Sequence, residues 1–420
     1  MASPRDDDDD DAVLGGLVDA AALARAFGRP VRGARRRSMR EDEKLGGLSG
    51  EFSIVEVLFE DATTTELVLK TTRPGGEAVA AALGTAREGR FFATLARDVD
   101  ELAGVVPRCF AARGDVATGA KAVLLEKVAG VPLGVFFGRG NPNNWNCFET
   151  DAALAAFAAS NGGIPAREAT SLAFRACAAL HAHFWRFGGG GGGGREGNDE
   201  WTWLRGATWL SGAGRDDWER AQRLASDAWT KIRRDVGAEE NASVLRWDSH
   251  LVACLDAAFG KLDWDAFQRE LAERPHTLVH GDCHPHNVLY RRHPDDGGSV
   301  VVLIDFEMVG LGSGPQDLGQ FVVSHAAPDE RRAWEHDVVR EYHAALVAAL
   351  RARDHPDAAT YSFDACWREY AAGGAGRWLW FVPYLATVCP PAMAHFFNDQ
   401  LAAFLRDHFP DPADAPMPRA

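Results

Sequence analysis

The sequence has no apolar run long enough to cross a bilayer. A membrane-spanning helix needs about 18 consecutive apolar residues, and no stretch of the 420 residues approaches that length. The start of the chain, with an unbroken aspartate run at residues 6–11, fits neither a secretory signal peptide nor an acid-poor transit peptide. We therefore expect a cytoplasmic protein with no membrane partner, in which the aspartate run is a solvated tail.

Paired cysteines and positive charge are also scarce. The seven cysteines are scattered and include no Cys-x-x-Cys pair, which is typical of reduced intracellular thiols. Lysine and arginine together number 45 against 60 acidic residues, and the formal net charge of -15 argues against a nucleic-acid partner. A nucleotide that carries Mg²⁺ is still allowed, because the metal and a few local cations set the field of such a site. The pattern gives no sign of an obligate protein partner.

The N-terminal part of the chain is predicted to contain both strands and a helix. Alternating apolar and polar residues predict a β-hairpin over residues 51–59 and 66–70, and an apolar run predicts another strand over 120–126. Between them, the spacing of apolar residues predicts one helix over 77–98.

The remainder of the chain is mostly helical. Periodic spacing predicts helices over 166–187, 216–235, 250–273, 317–350 and 362–407. Residues 131–165 show no strong periodicity, and seven consecutive glycines predict a flexible loop over 188–198. The fold class is therefore α+β, with a small β-rich N-terminal lobe and a larger, mainly helical C-terminal lobe. We expect an acidic tail and short helix at 1–30, the first lobe at 31–128 and the second at 129–410.

One passage carries most of the chemical information. The segment HGDCHPHN at residues 280–287 is followed by five aliphatic residues and then Asp305. Mg²⁺-dependent phosphoryl transfer needs a carboxylate that orients the acceptor hydroxyl, which fits Asp282. It also needs oxygen ligands that hold the metal, which fit the Asn287 amide and the Asp305 carboxylate. Burying Asp305 at the end of an aliphatic strand would be costly without a nearby cation.

Two charged residues of the first lobe fit the same chemistry. Lys70 ends the second predicted strand, where its ammonium can neutralise phosphate charge, and Glu88 on the next predicted helix could pair with it. Alone, each has an ordinary explanation, an edge-strand lysine and a solvated helix glutamate. Their order ahead of Asp282 favours the functional interpretation. The loop before the hairpin adds three glycines whose backbone can approach a ligand closely: Gly46, Gly47 and Gly50.

Other interpretations of the passage stay open. Four metal-competent side chains, His280, Cys283, His284 and His286, would allow a zinc-dependent hydrolase, although ligand pairs with normal zinc spacing are missing elsewhere in the sequence. A catalytically silent nucleotide-binding module is the second alternative, and against it no catalytic position is replaced. Asp317 precedes an apolar helix, so we expect it to cap that helix, and its carboxylate could also brace the loop near His280.

These motifs carry a family resemblance. Over about residues 45–400 the chain resembles the aminoglycoside phosphotransferase and choline kinase group of small-molecule kinases, and within it the ecdysteroid-kinase-like (CHK kinase-like) branch. The matching segments are LVLK at 67–70, LHAHFW at 180–185, HGD-x4-N at 280–287 and IDFE at 304–307. The resemblance implies a bilobal protein-kinase-like fold whose N-terminal lobe binds ATP with Mg²⁺, and a small-molecule hydroxyl as the phosphate acceptor.

The resemblance also implies roles for individual residues. They are Asp282 as catalytic base or hydroxyl-orienting group, Asn287 and Asp305 as Mg²⁺ ligands, Lys70 as the phosphate-binding lysine, Glu88 as its partner, and Glu126 to Val128 as a hinge whose backbone meets the adenine. The glycine loop departs from the protein-kinase Gly-x-Gly-x-x-Gly spacing, which weakens the expectation of phosphate binding there.

The acceptor is the part of the reaction that the sequence specifies least. It should lie among the C-terminal helices, where Trp378, Trp380, Phe381 and Tyr384 could form an apolar wall, although core packing explains such spacing equally simply. The acidic balance of the chain would tolerate a cationic acceptor, and the aromatic residues would tolerate a sterol-like one. The sequence does not separate these two classes.

Overall fold

The computed structural model describes residues 16–39, 50–97, 99–145, 148–187, 199–236, 245–292 and 297–420. Gly46, Gly47, the aspartate run and the predicted loop at 188–198 lie outside the described residues. The contacts within the chain divide it into two units. The first runs to Ala129 and also includes Val302–Val309, and the second comprises Gly130–Val301 and Gly310–Ala420.

The first unit is built on one antiparallel sheet. Its strands are β1 (Val31–Ser38), β2 (Gly50–Phe59), β3 (Thr64–Thr72), β4 (Cys109–Asp115) and β5 (Ala120–Glu126), in the order β1-β2-β3-β5-β4. Its helices are α1 (Ala20–Phe27), α2 (Glu77–Leu83) and α3 (Arg87–Thr94). The predicted hairpin is present as β2 and β3, which places Phe52 opposite Lys70. The inward-facing residues of the sheet, among them Val55, Val57 and Leu69, form a core with Leu23 of α1.

The single helix predicted over 77–98 is wrong, because the structure has two. Helix α2 ends at Leu83, where Gly84 adopts a left-handed φ of 71° and its N–H bonds back into the last turn. A second glycine, Gly89, then allows α3 to lie directly against β4. A Cβ at Gly89 would come within 2.2 Å of the Arg113 carbonyl oxygen. This close approach fixes the position of Glu88, the residue just before Gly89.

The second unit is mainly helical. Its helices are α4 (Pro142–Trp145), α5 (Asp151–Ser160), α6 (Ala166–His183), α7 (Ala207–Leu210), α8 (Arg215–Val236), α9 (Ser249–Gly260), α10 (Trp264–Ala272), α11 (Pro315–His325), α12 (Pro328–Ala352), α13 (Phe363–Val388) and α14 (Pro391–His408). Its short strands are β6 (Val131–Pro132), β7 (Thr277–Val279), β8 (Val288–Arg292) and β10 (Gly310–Gly312). Strand β9 (Ser299–Leu303) pairs with β8, which also pairs with β6. A small antiparallel sheet followed by a mainly helical part confirms the predicted α+β class.

Three more of the predicted long helices are each two helices. Asp263 divides the 250–273 range, since its side chain accepts a hydrogen bond from the Ala266 N–H and so caps a new helix. Pro328 and Pro391 begin the second helices of the other two ranges, because proline fits the first helical turn but cannot continue a preceding helix. None of the helices in the described ranges is both long and apolar enough to span a membrane.

Glycines also bring α11 and α13 into close contact. A Cβ at Gly319 would come within 2.5 Å of the Gly374 Cα, and a Cβ at Gly373 would come within 2.6 Å of the Gln316 Cβ. A side chain at Gly319 or Gly373 would therefore not fit between the two helices. The contact fixes the position of α11, whose side chains Asp317, Gln320 and His325 contact the segment HGDCHPHN.

Candidate active site

The first unit contains a buried cluster of charges around Lys70. The Lys70 Nζ lies 2.7 Å from Asp305 Oδ1, 2.9 Å from Glu88 Oε2 and 2.8 Å from a carboxylate oxygen of Glu307. The Lys70 side chain is only 5% exposed, so these contacts replace its hydration. The structure therefore brings together three of the predicted site residues, Lys70, Glu88 and Asp305.

Sequence reasoning missed two members of this cluster, Lys121 and Glu307. The Lys121 Nζ on β5 lies 2.7 Å from Glu88 Oε2 and also contacts Glu307. The Lys121 side chain is fully buried. Glu307 follows Asp305 by two residues in the IDFE segment, which is the signal that could have identified it. A lysine within the apolar run 120–126 was the corresponding signal for Lys121, because a buried lysine needs a carboxylate partner.

The pKa values in the cluster follow from burial and charge pairing. Burial alone would lower the pKa of Lys70, but the three carboxylates raise it well above its usual value. Burial would raise the pKa of Glu88, and the two lysines lower it instead. Burial, together with the charges of Glu307 and Glu88, raises the pKa of Asp305 despite the pull of Lys70. Asp305 is therefore the carboxylate whose charge is least compensated.

The three carboxylates form a candidate divalent-metal site. Among the residues that the structure describes, Glu88, Asp305 and Glu307 are the one group of potential ligands whose oxygens lie within 4.8 Å of one another. Carboxylate oxygens are the ligands that Mg²⁺ prefers, and a cation at Asp305 would relieve the crowding of negative charge. The Asp305 side chain is also 24% exposed, so an ion could reach it. These residues fit a metal.

Asp305 has an unusual backbone conformation. Its φ of 67° and ψ of 64° lie in the left-handed region. Aspartate adopts this region more readily than most side chains, yet it still costs energy of the order of 1 kcal/mol. A short 3₁₀ turn, Phe306–Met308, follows directly. The Phe306 ring stacks on Phe91 of α3, with 4.3 Å between ring centroids, which anchors the turn and fixes the position of Asp305.

The structure also describes the remaining predicted residues of the first unit. Gly50 begins β2 beside Lys70, and a Cβ there would lie 3.4 Å from the Lys70 Cε, so the glycine leaves room for the lysine. Glu126 ends β5, and its carboxylate accepts the Arg108 N–H at 3.1 Å. Val128 lies in the coil after β5. No hydrogen bond to another residue of the described ranges involves the Val128 backbone.

In the second unit, Asp282 and Asn287 lie on one tight loop. The Asn287 Nδ2 donates to the Asp282 carbonyl oxygen at 2.9 Å and to Asp282 Oδ2 at 3.2 Å. Gln320 of α11 donates to Asp282 Oδ1 at 3.3 Å. Asn287 therefore turns its amide nitrogen towards Asp282, and no hydrogen bond from the described part of the chain reaches its amide oxygen. That oxygen is the atom a metal would use.

The Asp282 carboxylate is held in its charged form. Burial would raise its pKa, but His284, His280 and Arg377 lower it well below its usual value. The His284 Nε2 lies 3.7 Å from Asp282 Oδ2. The Asp282 side chain is 36% exposed, so an incoming group can reach it.

The buried carboxylate of Asp317 holds the backbone of this loop in place. Asp317 Oδ2 accepts the His280 N–H at 2.7 Å and lies 3.3 Å from the His181 Nε2, while Asp317 Oδ1 accepts the Gly281 N–H at 3.1 Å. His181 in turn contacts the Tyr342 hydroxyl at 2.9 Å. Burial would raise the pKa of Asp317, and the His181 hydrogen bond lowers it. The expected capping role is wrong, because α11 begins at Pro315 and Asp317 is already inside it. The bracing role is what the structure shows.

Three histidine rings cluster beside Asp282. Centroid distances among His284, His286 and His325 are 5.5 to 6.5 Å. Burial lowers the pKa of His286 to about 3 and lowers that of His325 well below its usual value, so both rings are neutral at neutral pH. The potential metal ligands that come together within the described ranges are carboxylates rather than these histidines, which weighs against the zinc alternative. Cys283 is buried against Cys177 and is a packing residue.

Of the four aromatic residues predicted to form an apolar wall, one is buried in the core and three are partly exposed. Trp378 is buried, and its Nε1 donates to the Gln320 carbonyl oxygen at 3.1 Å, so it supports α11. Phe381 lies under the Arg377 guanidinium, with 4.1 Å between the Cζ and the ring centroid. Trp380 and Tyr384 are half-buried. Trp378 is therefore a core residue.

The fold and the charged residues define a class of protein. A small antiparallel sheet with a lysine–carboxylate cluster, and a mainly helical part with an aspartate loop, are the features of a phosphotransferase with a protein-kinase-like fold. The chain belongs to the phosphotransferase enzyme family, whose family model matches residues 45–361. No curated protein sequence matches the chain.

The chain is similar to several solved kinase structures. A microcompartment-associated aminopropanol kinase shares 18% identity at a TM-score of 0.42, covering 91% of this chain and 94% of its own. The Plasmodium vivax ethanolamine kinase shares 10% identity at a TM-score of 0.39, with coverages of 89% and 82%. A macrolide 2'-phosphotransferase from Brachybacterium faecium shares 15% identity at a TM-score of 0.37, with coverages of 93% and 98%. These likenesses carry no argument about substrate.

Proposed function

We propose that this protein is an ATP- and Mg²⁺-dependent phosphotransferase that phosphorylates a hydroxyl group of a small molecule. The observation that supports the proposal most strongly is the Asp282 loop. Its carboxylate is ionised, reachable from solvent and oriented by Asn287 and Gln320. A fixed, charged acceptor of this kind suits the orientation of an attacking hydroxyl.

The lowered pKa of Asp282 favours one of two versions of its role. A strong general base has a pKa near the working pH, and Asp282 is a much weaker base than that. Phosphoryl transfer through a loose transition state gains most from positioning and charge. We therefore assign Asp282 to accepting the hydroxyl hydrogen bond and aligning the nucleophile, with proton transfer late in the step.

Lys70, Glu88, Asn287 and Asp305 would serve the nucleotide. Lys70 supplies the positive charge for the phosphates, and Glu88 holds its ammonium in place. The amide oxygen of Asn287 and the carboxylate of Asp305 would be the Mg²⁺ ligands. When bound, Mg²⁺ would supply positive charge that offsets the negative charge of the nucleotide phosphates. Oxygen donors of this kind suit a hard cation, and Asp305 lies beside the further carboxylates of Glu88 and Glu307.

The finer parts of the proposal rest on sequence. The backbone from Glu126 to Val128 would meet the adenine, and the loop with Gly46, Gly47 and Gly50 would pass over the phosphates. The segments HGD-x4-N and LHAHFW favour the ecdysteroid-kinase-like branch. The neutral rings of His286 and His325 beside Asp282 are consistent with an uncharged polar acceptor. Scattered, unpaired cysteines favour a cytoplasmic setting.

The test is a turnover assay with Asp282→Asn across a panel of hydroxylated metabolites, with water as one acceptor. We expect turnover to fall by roughly 10²- to 10⁴-fold while nucleotide affinity stays close to that of the unchanged protein. Asp329→Asn is the matched control, because Asp329 is 97% exposed and its loss should leave turnover unchanged. Equal turnover in the unchanged protein and Asp282→Asn would refute the assignment. Nucleotide binding without turnover on any acceptor would favour the silent module.

A further inference from the structure

Arg377 is a buried arginine of α13 that has no part in the reaction proposed above. Its residue is only 2% exposed, and its Nε has no hydrogen-bond partner in the described part of the chain. Within the same ranges it makes no ion pair, and its two terminal nitrogens donate to backbone carbonyl oxygens, that of Gly281 at 3.4 Å and that of Arg419 at 3.3 Å. Two neutral acceptors replace the hydration of a buried charge only in part. Stability alone therefore does not explain an arginine at this position.

The carbonyl oxygen of Gly281 belongs to the peptide that joins Gly281 to Asp282. This peptide is held at its nitrogen as well as at its oxygen, because the Asp282 N–H donates to the His280 Nδ1 at 3.3 Å. The preceding peptide is also held, since the Gly281 N–H donates to Asp317 Oδ1 at 3.1 Å. A peptide is planar, so contacts at its oxygen and its nitrogen fix the plane from which the next side chain projects. Arg377 therefore contacts the backbone at the point that sets the direction of the Asp282 carboxylate.

The charge of Arg377 acts on the same loop. Burial and the charge of Arg205 lower the pKa of Arg377 well below its usual value, although the carboxylates of Asp282 and Asp317 oppose the change. Arginine starts from so high a pKa that it keeps its charge in proteins. The Arg377 charge in turn helps to lower the pKa of Asp282, together with the larger effects of His284 and His280. The arginine thus favours the ionised carboxylate, which is the form that accepts a hydrogen bond from a hydroxyl.

Two features hold the Arg377 guanidinium in place. Its Cζ lies 4.1 Å from the centroid of the Phe381 ring, one turn further along α13. Its second acceptor, the Arg419 carbonyl oxygen, belongs to the segment 417–419, which is bound to the same helix. The Arg419 N–H donates to the Gly376 carbonyl oxygen at 2.8 Å. Arg377 therefore connects the segment 417–419 on one side with the catalytic loop on the other.

We propose that Arg377, anchored by the segment 417–419, is a positioning residue for phosphoryl transfer, which holds the peptide before Asp282 and so aligns its carboxylate with the attacking hydroxyl. The assignment rests on the proposed function, because Arg377 acts through Asp282 and not on the substrate itself. A displacement of ~1 Å in a reacting group can lower turnover by about 100-fold. Loss of Arg377 should therefore lower kcat far more than it changes the KM for ATP.

The test replaces Arg377 with methionine, an apolar side chain of similar length that donates no hydrogen bond. Turnover is measured on the full chain with Mg²⁺-ATP and the hydroxylated metabolite that supports the fastest turnover, and kcat and KM are determined separately. Hydrogen exchange followed by mass spectrometry reports on residues 280–287 without any need for turnover. We expect Arg377→Met to lower kcat by about 10- to 100-fold with little change in the KM for ATP. Amide exchange over residues 280–287 should become roughly tenfold faster, as expected for the loss of one charge-assisted hydrogen bond.

Arg331→Met is the matched control. Arg331 of α12 is equally buried and also lies over a phenylalanine ring, with 5.0 Å between its Cζ and the Phe404 centroid. It pairs with Glu335 and Asp407, and none of its hydrogen bonds within the described ranges involves residues 280–287. Its loss should lower stability but leave kcat and the exchange of the loop unchanged.

Equal kcat in Arg377→Met and the unchanged protein would overturn the proposal, and so would unchanged exchange of the loop. An equal fall of kcat in Arg331→Met would overturn it as well, since it would indicate a general loosening of the fold. If the unchanged protein transfers no phosphoryl group to any acceptor, the proposed function fails, and the exchange measurement still decides whether Arg377 holds the loop.

A second variant covers the case in which Arg377→Met does not fold. A Cβ at Gly376 would come within 2.9 Å of the Met417 carbonyl oxygen, so Gly376→Ala displaces the segment 417–419 and removes one anchor of Arg377. It should also lower kcat and speed the exchange of residues 280–287. Undiminished kcat together with unchanged exchange in Gly376→Ala would then refute the proposal.

Discussion

Replacing Asp317 with asparagine separates the bracing of the catalytic loop from the chemistry at its tip. Asp317 is fully buried and accepts two backbone N–H bonds, at 2.7 Å from His280 and 3.1 Å from Gly281. The His181 Nε2 is a third neighbour, at 3.3 Å. Asparagine has the same shape but only one acceptor oxygen. Its amide nitrogen would therefore face one of these donors.

The cost of this change can be worked from those contacts. A buried donor left unsatisfied costs about 1–3 kcal/mol, and each of the two remaining bonds loses about 1 kcal/mol when its acceptor becomes neutral. We therefore expect Asp317→Asn to lower the free energy of unfolding by about 3–5 kcal/mol, similar to the loss of one partner from a buried ion pair. Asp282 follows the two anchored residues, so a shift of the loop by ~1 Å would lower turnover by up to about 100-fold.

The assay is urea unfolding followed by circular dichroism, together with turnover measured where the variant is still folded. Asp357→Asn is the control, because the Asp357 carboxylate also accepts from two donors, Trp185 Nε1 at 2.7 Å and Arg186 Nε at 2.6 Å, but lies closer to the surface. It should lower stability but leave turnover unchanged. A loss below about 1 kcal/mol in Asp317→Asn, within the range of a single neutral hydrogen bond, would refute the bracing role.

The remaining predictions concern the charged cluster and the histidines. Glu88→Gln removes a carboxylate whose Oε2 lies 2.9 and 2.7 Å from the two buried ammonium groups, those of Lys70 and Lys121, and it should cost about 3–5 kcal/mol of unfolding free energy. Glu219 forms an exposed ion pair with Arg215, so Glu219→Gln should cost less than about 0.5 kcal/mol in the same denaturation experiment. Asp305→Asn keeps a side chain that tolerates left-handed backbone, and it should raise the Mg²⁺ concentration needed for half-maximal turnover by at least about tenfold, while an unchanged Mg²⁺ dependence would contradict the metal role. Burial and the charge of His284 lower the pKa of His286 to about 3 in the folded protein. The unfolded chain, in which the His286 pKa is about 6.5, therefore binds a proton more tightly than the folded protein does. The contribution of His286 to the free energy of unfolding is complete above about pH 6.5 and falls by about 2 kcal/mol between pH 8 and pH 5. A plot of unfolding free energy against pH should therefore be shallower between pH 8 and pH 5 for His286→Gln than for the unchanged protein. His336→Gln should not change the slope, because the His336 ring is 55% exposed.

Patterns of apolar and polar residues predicted several strands of the fold correctly. The β2–β3 hairpin follows from alternation, and the strand before the polar end of IDFE follows from its aliphatic run. The helix boundaries were harder, because periodicity continues across a break. Gly84 and Pro328 end one periodic stretch and begin the next, and a pattern of apolar spacing alone does not register the change. Strand β1 was missed because its four arginines hide the alternation.

In the candidate site too, local sequence predicted some features and not others. Asp282 and Asn287 share one loop, so spacing alone predicted that they lie together. Lys121 and Glu307 join the cluster through contacts between segments far apart in sequence. The apolar run 120–126 and the IDFE segment mark them as buried charges, but local patterns do not say which residues pair. Asp317 was placed at a helix terminus by its neighbours, whereas its buried carboxylate serves a distant loop. The roles assigned to these residues stay predictions until turnover is measured.

The most direct test of the central claim is to follow phosphoryl transfer from Mg²⁺-ATP to hydroxylated metabolites by phosphorus NMR. The account predicts a phosphorylated acceptor and ADP in equal amounts, formed only with Mg²⁺, and formed at least roughly 100-fold more slowly by Asp282→Asn. Formation of ADP without any phosphorylated acceptor, or equal rates in the unchanged protein and Asp282→Asn, would contradict it.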